Sequence, residues 1–270
     1  MPTAFFDYDG TLIEGDSILF WRRHYYARRP WRRVFQVAGW AGLCLYAVRL
    51  IDSHTLKRVF LWPLAFEKPE TLDALGREFV HADLAQRFHG PVLARLWAHH
   101  RLGHRVVVIS ASGTFYLRHL AELLPPGCVV LGTEMKWDGG LLRFPSYRGG
   151  NLRGPNKIRR LRELGYAEAG KGGFAYSDHP HDVPLLEFVD HPACIRPTRD
   201  MRAEARKRGW PVWDWPRARA AWKVPLEAAC LLLFAWAPAF LAAPKEPSRP
   251  DEAEVERQVR WVQEGMARDM

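Results

Sequence analysis

The feature that most constrains this fold is a pair of aspartates that follows a short apolar segment near the start of the chain. Residues 3–8 read Thr-Ala-Phe-Phe-Asp-Tyr, and Asp9, Gly10 and Thr11 follow. This pattern predicts a buried parallel strand that ends in a polar loop. Asp7 and Asp9, two positions apart, project to the same side, where they can share one metal ion and one phosphate.

Strands and helices alternate along much of the remaining chain. Buried strands are predicted over 105–109 and 173–177, with a shorter one near 193–195, and helices near 115–124 and over 183–189. This alternation predicts an α/β fold with a doubly wound, Rossmann-like parallel sheet.

The alternation is interrupted in two places, and these define the predicted domains. Residues 16–100 have helical periodicity and no convincing strand, so we expect an inserted all-helical cap. The α/β core then comprises 1–15 and 101–215, and residues 216–270 form a C-terminal helical extension. A hairpin over 136–142, with Asp-Gly-Gly as its turn, is expected to decorate the sheet.

The predicted strand ends and one helix start supply further groups for phosphate chemistry. A hydroxyl and the amides that follow it can bind phosphate oxygens, an ammonium can neutralise their charge, and two more carboxylates can hold a divalent cation. Taken singly, the hydroxyl and the lysine are also ordinary loop and helix residues. These groups are Ser110, Ala111 and Ser112, then Lys157, then Asp178 and Asp182.

In this order the motifs resemble those of the haloacid dehalogenase superfamily, in the branch that includes phosphoserine phosphatase and bacterial phosphatidylglycerophosphatase C. The resemblance covers residues 3–212. It implies a phosphatase in which Asp7 is the nucleophile and Asp9 is the general acid and then the base. It also implies Mg²⁺ bound by Asp7, Asp178 and the backbone carbonyl of Asp9, with Asp182 as a further metal-site residue.

The same resemblance assigns the phosphate-binding groups and exposes one departure. Thr11, Ser110, Ala111, Ser112 and Lys157 would bind the phosphoryl group, and residues 177–186 match the fourth motif. The residue after the first aspartate of that motif is usually small in this branch, but here it is His179. The implied metal ligands are intact, and we expect His179 to affect the fine geometry or the pH dependence of the site.

The substrate is less constrained than the chemistry. Asp16 lies where phosphoserine phosphatases carry a glutamate for the substrate amine, but it is also a good N-cap for a helix starting at Ser17. A basic and aromatic run over 21–33 precedes an apolar run over 34–50, and a second apolar run covers 225–243. Each apolar run fits either a membrane contact or a packed helix, since both are shorter than a confident span.

The net charge of the chain indicates its partners, and its N-terminal sequence indicates its location. A formal net charge of +9 favours an anionic partner, either a phosphorylated small molecule or a lipid phosphate at an anionic membrane surface, and nucleic acid is the least favoured. No signal peptide opens the chain, so we expect a cytoplasmic protein that can act at the inner face of the membrane. A soluble small-molecule phosphatase, a phosphotransferase and a non-catalytic basic binding protein remain the alternatives.

Overall fold

The central element of the fold is a six-stranded parallel sheet. A computed structural model describes residues 1–136, 146–215, 223–234 and 249–268. The strand order is β3-β2-β1-β6-β7-β8, and every neighbouring pair is parallel. The strands are β1 Thr3–Phe6, β2 Arg105–Gly113, β3 Val129–Thr133, β6 Phe174–Ser177, β7 His191–Ile195 and β8 Val212–Trp213.

Both faces of the sheet are covered by helices, as the apolar sequence of β1 requires. All four β1 residues are buried. Ala4 and Phe6 belong to one core cluster, whereas Phe5 belongs to a second cluster with Ile158 and Leu161. Alternate side chains of a strand point to opposite faces, so a strand that is apolar throughout needs a helical layer on each side. The predicted doubly wound α/β fold is confirmed.

Five helices fill the range predicted for the cap, in a region whose described residues contribute no strand to the sheet. They are α1 Ser17–Arg28, α2 Gln36–Ala47, α3 Ser53–Leu61, α4 Pro69–Phe79 and α5 Gly90–Arg101, with short 3-10 helices at Pro30–Phe35 and Trp62–Phe66 and a π turn at Val80–Leu84. Of these helices, α5 contacts β1 and β2 directly. This end of the range 16–100 therefore packs on the sheet.

The remaining helices follow strands or extend the chain beyond the sheet. They are α6 Thr114–Leu117 with a 3-10 turn at Arg118–Glu122, α7 Pro155–Glu163, α8 Val183–Glu187, α9 Arg199–Arg208, α10 Lys223–Phe234 and α11 Glu252–Arg268. The helix expected near 115–124 is thus divided into two short elements.

The two described helices of the C-terminal extension pack against helices of the range 16–100. Val255 of α11 is fully buried in a small cluster with Ala94 and Ala98 of α5. Helix α10 contacts α1 and α2. The tail after Lys245, for which the sequence suggested no role, therefore contains a helix that covers the outside of α5.

Two predictions fall partly outside the residues that the structure describes. Strands β4 Met135–Lys136 and β5 Ser146–Tyr147 pair antiparallel, as a hairpin would require, but the predicted turn at 138–140 lies outside the described ranges. The second apolar run is described only as far as Phe234. Within the described residues, no helix has both the length and the apolar character needed to cross a membrane.

Candidate active site

Three neighbouring strands bring predicted site residues to one edge of the sheet. Asp7 follows β1, Asp178 follows β6, and Ser110 lies near the carboxyl end of β2. Because β1 is the middle strand of the three, Asp7 has the other two residues on either side. The pairing register of β2 with β3 shifts between Ile109 and Gly113, an irregularity typical of strands beside functional sites.

Lys157 connects two buried carboxylates. Its Nζ donates to Asp7 Oδ1 at 2.6 Å and to Asp182 Oδ2 at 2.8 Å. The lysine lies in the first turn of α7, which begins at Pro155, a favoured residue for that position. Ser177 Oγ donates to the same oxygen of Asp182 at 2.8 Å. Asp182 therefore anchors the lysine, and its Oδ2 accepts short hydrogen bonds from both Lys157 and Ser177.

The buried charges at this edge shift one another's ionisation. Burial raises the pKa of Asp7 well above its usual range; Asp182 and Asp178 add to this, and Lys157 opposes it. Burial alone would lower the pKa of Lys157, but Asp182 and Asp7 outweigh it, so that the pKa lies above its usual value. The lysine stays charged, and the carboxylates remain an electrostatically crowded group.

Asp7 and Asp178 face each other across Thr11. Thr11 Oγ1 lies 3.3 Å from Asp7 Oδ2 and 3.1 Å from Asp178 Oδ1. Burial is the largest cause that raises the pKa of Asp178, to about 7. Gly10 makes this approach feasible, since a Cβ there would lie 2.8 Å from Asp178 Cγ and nearer still to its Oδ2.

This donor set fits a Mg²⁺ ion. The described residues contain no group of three or more His, Cys, Asp or Glu side chains placed to hold a metal ion. Mg²⁺ in phosphate enzymes is held by one or two carboxylates, with substrate oxygens and water completing the shell. Asp7 and Asp178 supply two such carboxylates, and a cation between them would relieve the crowding that raises their pKa values.

Asp9 is held by three donors from two parts of the chain. The backbone N–H of Ser17, at the start of α1, donates to its Oδ1 at 2.7 Å. The hydroxyls of Ser112 and Ser110 donate to its Oδ2 at 2.7 and 3.1 Å. Ser17 Oγ in turn lies 2.8 Å from the buried Tyr116 hydroxyl. These contacts fix the orientation of the carboxylate, and no sequence pattern indicated the roles of Ser17 and Tyr116.

The loop predicted to bind phosphate through its amides also makes internal contacts. The Ser112 N–H donates to Ser110 Oγ at 3.0 Å. The Ala111 carbonyl accepts from Lys57 Nζ at 2.5 Å and from Thr133 Oγ1 at 2.9 Å. Lys57, which belongs to none of the sequence motifs, therefore carries an ammonium from the predicted cap to the core, and burial lowers its pKa.

Asp16 has the N-cap role considered for it, because its carboxylate accepts from Ile18 N at 2.9 Å. It also lines the same cavity as Asp7, where its side chain is exposed. The rings of His179 and His181, which also line the cavity, stack with their centroids 4.5 Å apart. Both roles weighed for Asp16 are compatible with its position.

The predicted site residues open into a cavity of about 630 Å³. Such a volume is typical of sites for drug-sized ligands, well beyond a bare phosphate. The part of its wall that comes from α1, α3 and α10 is mainly apolar, while Lys57, Asn151, Arg153, His179 and His181 also line the cavity. The side chains of the mainly apolar part are Ile18, Leu19, Leu56, Phe60, Ala228, Leu231 and Leu232, with Arg22 and Glu227 among them.

Comparisons with known proteins show which family and which folds this chain resembles. The model of a family described as haloacid dehalogenase-like hydrolase matches residues 4–187. The inhibition of morphological differentiation protein of Streptomyces azureus is 27% identical over 79% of this chain and 78% of its own. The histidinol-phosphatase of Neisseria meningitidis is 26% identical over 78% of this chain and 98% of its own. A Bordetella pertussis protein of unknown function shares the fold, with a TM-score of 0.64 at 23% identity over 79% of this chain and 99% of its own.

Proposed function

The chain belongs to the haloacid dehalogenase-like hydrolases and is a phosphatase, and we propose that it hydrolyses a lipid phosphomonoester with Mg²⁺ through an aspartyl phosphate on Asp7. The observation that carries this proposal is the contact of Lys157 with both Asp7 and Asp182, beside Asp9 and Asp178. The family predicted from the motifs is confirmed by the family model that matches residues 4–187.

The proposed reaction has two displacements. A carboxylate oxygen of Asp7 attacks phosphorus, the bond to the substrate alcohol breaks, and Asp9 gives its proton to the leaving oxygen. Asp9 then takes a proton from water, which attacks phosphorus and releases the Asp7 carboxylate. Lys157 keeps a positive charge beside the attacking group throughout. Bound Mg²⁺ would supply further positive charge for the phosphoryl oxygens, with Asp7 and Asp178 as its side-chain ligands.

Two features of the cavity support a lipid substrate. The part of its wall that comes from α1, α3 and α10 is mainly apolar, which suits a substrate whose alcohol is apolar. Helix α10 supplies part of this wall through Leu231 and Leu232, while Leu226 and Phe234 of the same helix are exposed. Helix α10 thus has apolar side chains on a buried side and on an exposed side, with Glu227 as a buried exception, and apolar side chains on an exposed side suit contact with lipid.

An exposed apolar surface on the cap supports contact with a membrane. We define the apolar patch as Trp31, Val34, Val37, Trp40 and Phe234, which are between 40% and 65% exposed. Trp40 and Phe234 meet edge to face at 6.4 Å, so α2 and α10 contribute to one surface. Large exposed apolar patches mark contact sites for proteins or membranes.

The basic run contributes less to such a contact than its sequence suggests. Arg28 pairs with Glu78, and Arg29 and Arg32 both pair with Glu67. Among the carboxylates that the structure describes, none pairs with the exposed Arg33 or Arg49. An expectation of about 1 kcal/mol from every arginine of the run is therefore too large. The apolar patch would provide most of the binding, and two exposed arginines would add a preference for anionic lipid.

Phosphate release tests the chemistry. Purified protein is assayed with Mg²⁺ and with EDTA on phosphatidylglycerophosphate, lysophosphatidate, phosphoserine and histidinol phosphate, beside Asp7→Asn. We expect release that needs Mg²⁺, is lost in Asp7→Asn, and is faster from the lipids. Undiminished release by Asp7→Asn would contradict the nucleophile assignment.

Vesicle binding tests the surface. Replacing Val34 and Val37 with serine should weaken sedimentation with anionic vesicles roughly 10- to 100-fold, because each exposed valine would lose part of the 1.5–3 kcal/mol of full burial. Leu164→Ser is the matched control, since Leu164, the residue directly after α7, is 42% exposed and lies outside the apolar patch. Equal binding by all three proteins would exclude the apolar patch as the membrane contact.

A soluble phosphorylated metabolite is the second candidate substrate. It is favoured by the similarity to a histidinol-phosphatase that is covered almost completely by the alignment. The same panel separates the two, since this alternative requires faster release from histidinol phosphate or phosphoserine than from either lipid.

A further inference from the structure

Arg22 is a buried cation in the cavity wall that the phosphatase chemistry does not use. It lies on α1, is 4% exposed, and lines the cavity with the catalytic aspartates. Its Nη2 donates to the Leu232 carbonyl of α10 at 3.0 Å, but its Nε has no hydrogen-bond partner within the described part of the chain. Among the described residues no carboxylate forms an ion pair with it, and burial lowers its pKa.

Such a guanidinium is costly unless a ligand completes its environment. A buried charge needs a counter-charge or a full set of hydrogen bonds. The Leu232 carbonyl accounts for one of the five N–H donors of an arginine. The ring of Phe60 covers the guanidinium at 4.4 Å, which stabilises a cation without satisfying its donors. The planar donor group is suited to bind a carboxylate or phosphate oxygen pair.

The position of Arg22 separates it from the reacting phosphoryl group. Helix α1 begins at Ser17, whose N–H contacts Asp9. Arg22 follows five residues later, roughly 7.5 Å along the helix axis. The apolar side chains Ile18 and Leu19 line the interval. An anion bound at Arg22 would therefore belong to a different part of the substrate from the phosphomonoester.

We propose that Arg22 binds a second anionic group of the substrate, so that the enzyme selects phosphomonoesters whose apolar body also carries a phosphodiester or a carboxylate. This inference rests on the phosphatase site proposed above and specifies its substrate class. Arg22 would be a specificity-determining residue that contacts the substrate away from the bond that breaks.

A matched set of substrates tests the proposal on the unmodified enzyme. Alkyl phosphates of equal chain length are compared, with the far end of the chain a carboxylate, a methyl phosphodiester or a neutral primary amide. We expect kcat/KM to be about 10- to 100-fold higher for an anionic end, as for a hydrogen bond to a charged group. The better of the two anionic ends identifies the class. Equal kcat/KM for all three would overturn the proposal.

Variants connect this preference to Arg22. Arg22→Gln should bring the ratio of anionic to neutral kcat/KM close to one, and Arg22→Lys should restore part of it. The ratio is independent of how much of a variant folds, because both substrates meet the same active molecules. Arg95→Gln is the matched control, since Arg95 is equally buried but contacts Gln258 and Tyr176 outside the cavity.

Two outcomes separate this inference from the phosphatase proposal. If Arg22→Gln keeps the full ratio, the arginine only joins α1 to α10 and the inference fails while hydrolysis stands. If the unmodified enzyme releases no phosphate from any of the three esters or from the lipid panel, the proposed function fails as well.

Discussion

Gly10→Ala should lower activity by displacing Asp178. Gly10 has φ +80°, and a Cβ there would lie 2.8 Å from Asp178 Cγ and closer to its Oδ2. Ordinary contacts begin at 3.4 Å, so Cγ must retreat by at least 0.6 Å and Oδ2 by more, about 1 Å. A displacement of about 1 Å at a reacting centre lowers rates by roughly 100-fold. We expect kcat/KM to fall by about that factor, together with weaker Mg²⁺ binding.

The variant also strains the backbone, so its stability loss needs a separate control. A left-handed conformation costs a non-glycine residue roughly 1–2 kcal/mol. Gly127 has φ +79°, and a methyl group added to its Cα would have nothing within 4 Å among the described residues. Gly127→Ala should thus lose similar unfolding free energy in urea titration while keeping its activity and its Mg²⁺ affinity. If both variants have the same kcat/KM and the same Mg²⁺ dependence, Asp178 is not the group that Gly10 accommodates, and the metal assignment loses its geometric support.

Two further predictions concern Asp9 and a buried histidine. Ser112→Ala removes the 2.7 Å hydrogen bond to Asp9, so kcat should fall about 10-fold in the phosphate assay; an unchanged kcat would show that the bond does not position the acid. Burial, followed by the charge of Arg196, lowers the pKa of His89 to about 3. Because the unfolded state then binds the proton more readily, stability should decline as pH falls from 6.5 towards 3, by up to about 2 kcal/mol at pH 5. His89→Gln should flatten this part of the urea-derived profile, and an equal slope in both proteins would refute the assignment.

The sheet and the carboxylates could be predicted because each depends on local sequence. Residues 3–8 and 105–109 are apolar over a strand length and end in polar residues, which determines both burial and direction. Parallel strands place their carboxyl ends at one edge, so Asp7, Ser110 and Asp178 had to meet there once the strands were identified. The contact of Lys157 with Asp7 follows from the same topology.

The cavity wall could not be predicted, because it depends on contacts between distant segments. Arg22 and Leu232 are 210 positions apart, and neither belongs to a motif. The basic run looked like a solvent-exposed surface because its partners lie later in the chain, outside any local pattern: Glu67 lies between two helices and Glu78 in α4. Helical periodicity identifies a buried face without identifying what covers it.

Helix α10 explains why the two interpretations of its apolar sequence could not be separated. A packed helix and a membrane-contacting helix need the same residue types, and α10 has both environments at once. Leu231 is 1% exposed in the wall of the cavity, whereas Phe234, three residues later, is 54% exposed beside Trp40. One short helix thus separates the cavity from the outer apolar surface. An apolar substrate that approached along that surface would therefore meet α10 before it reached the aspartates, and the proposed membrane contact and substrate selection would depend on the same element.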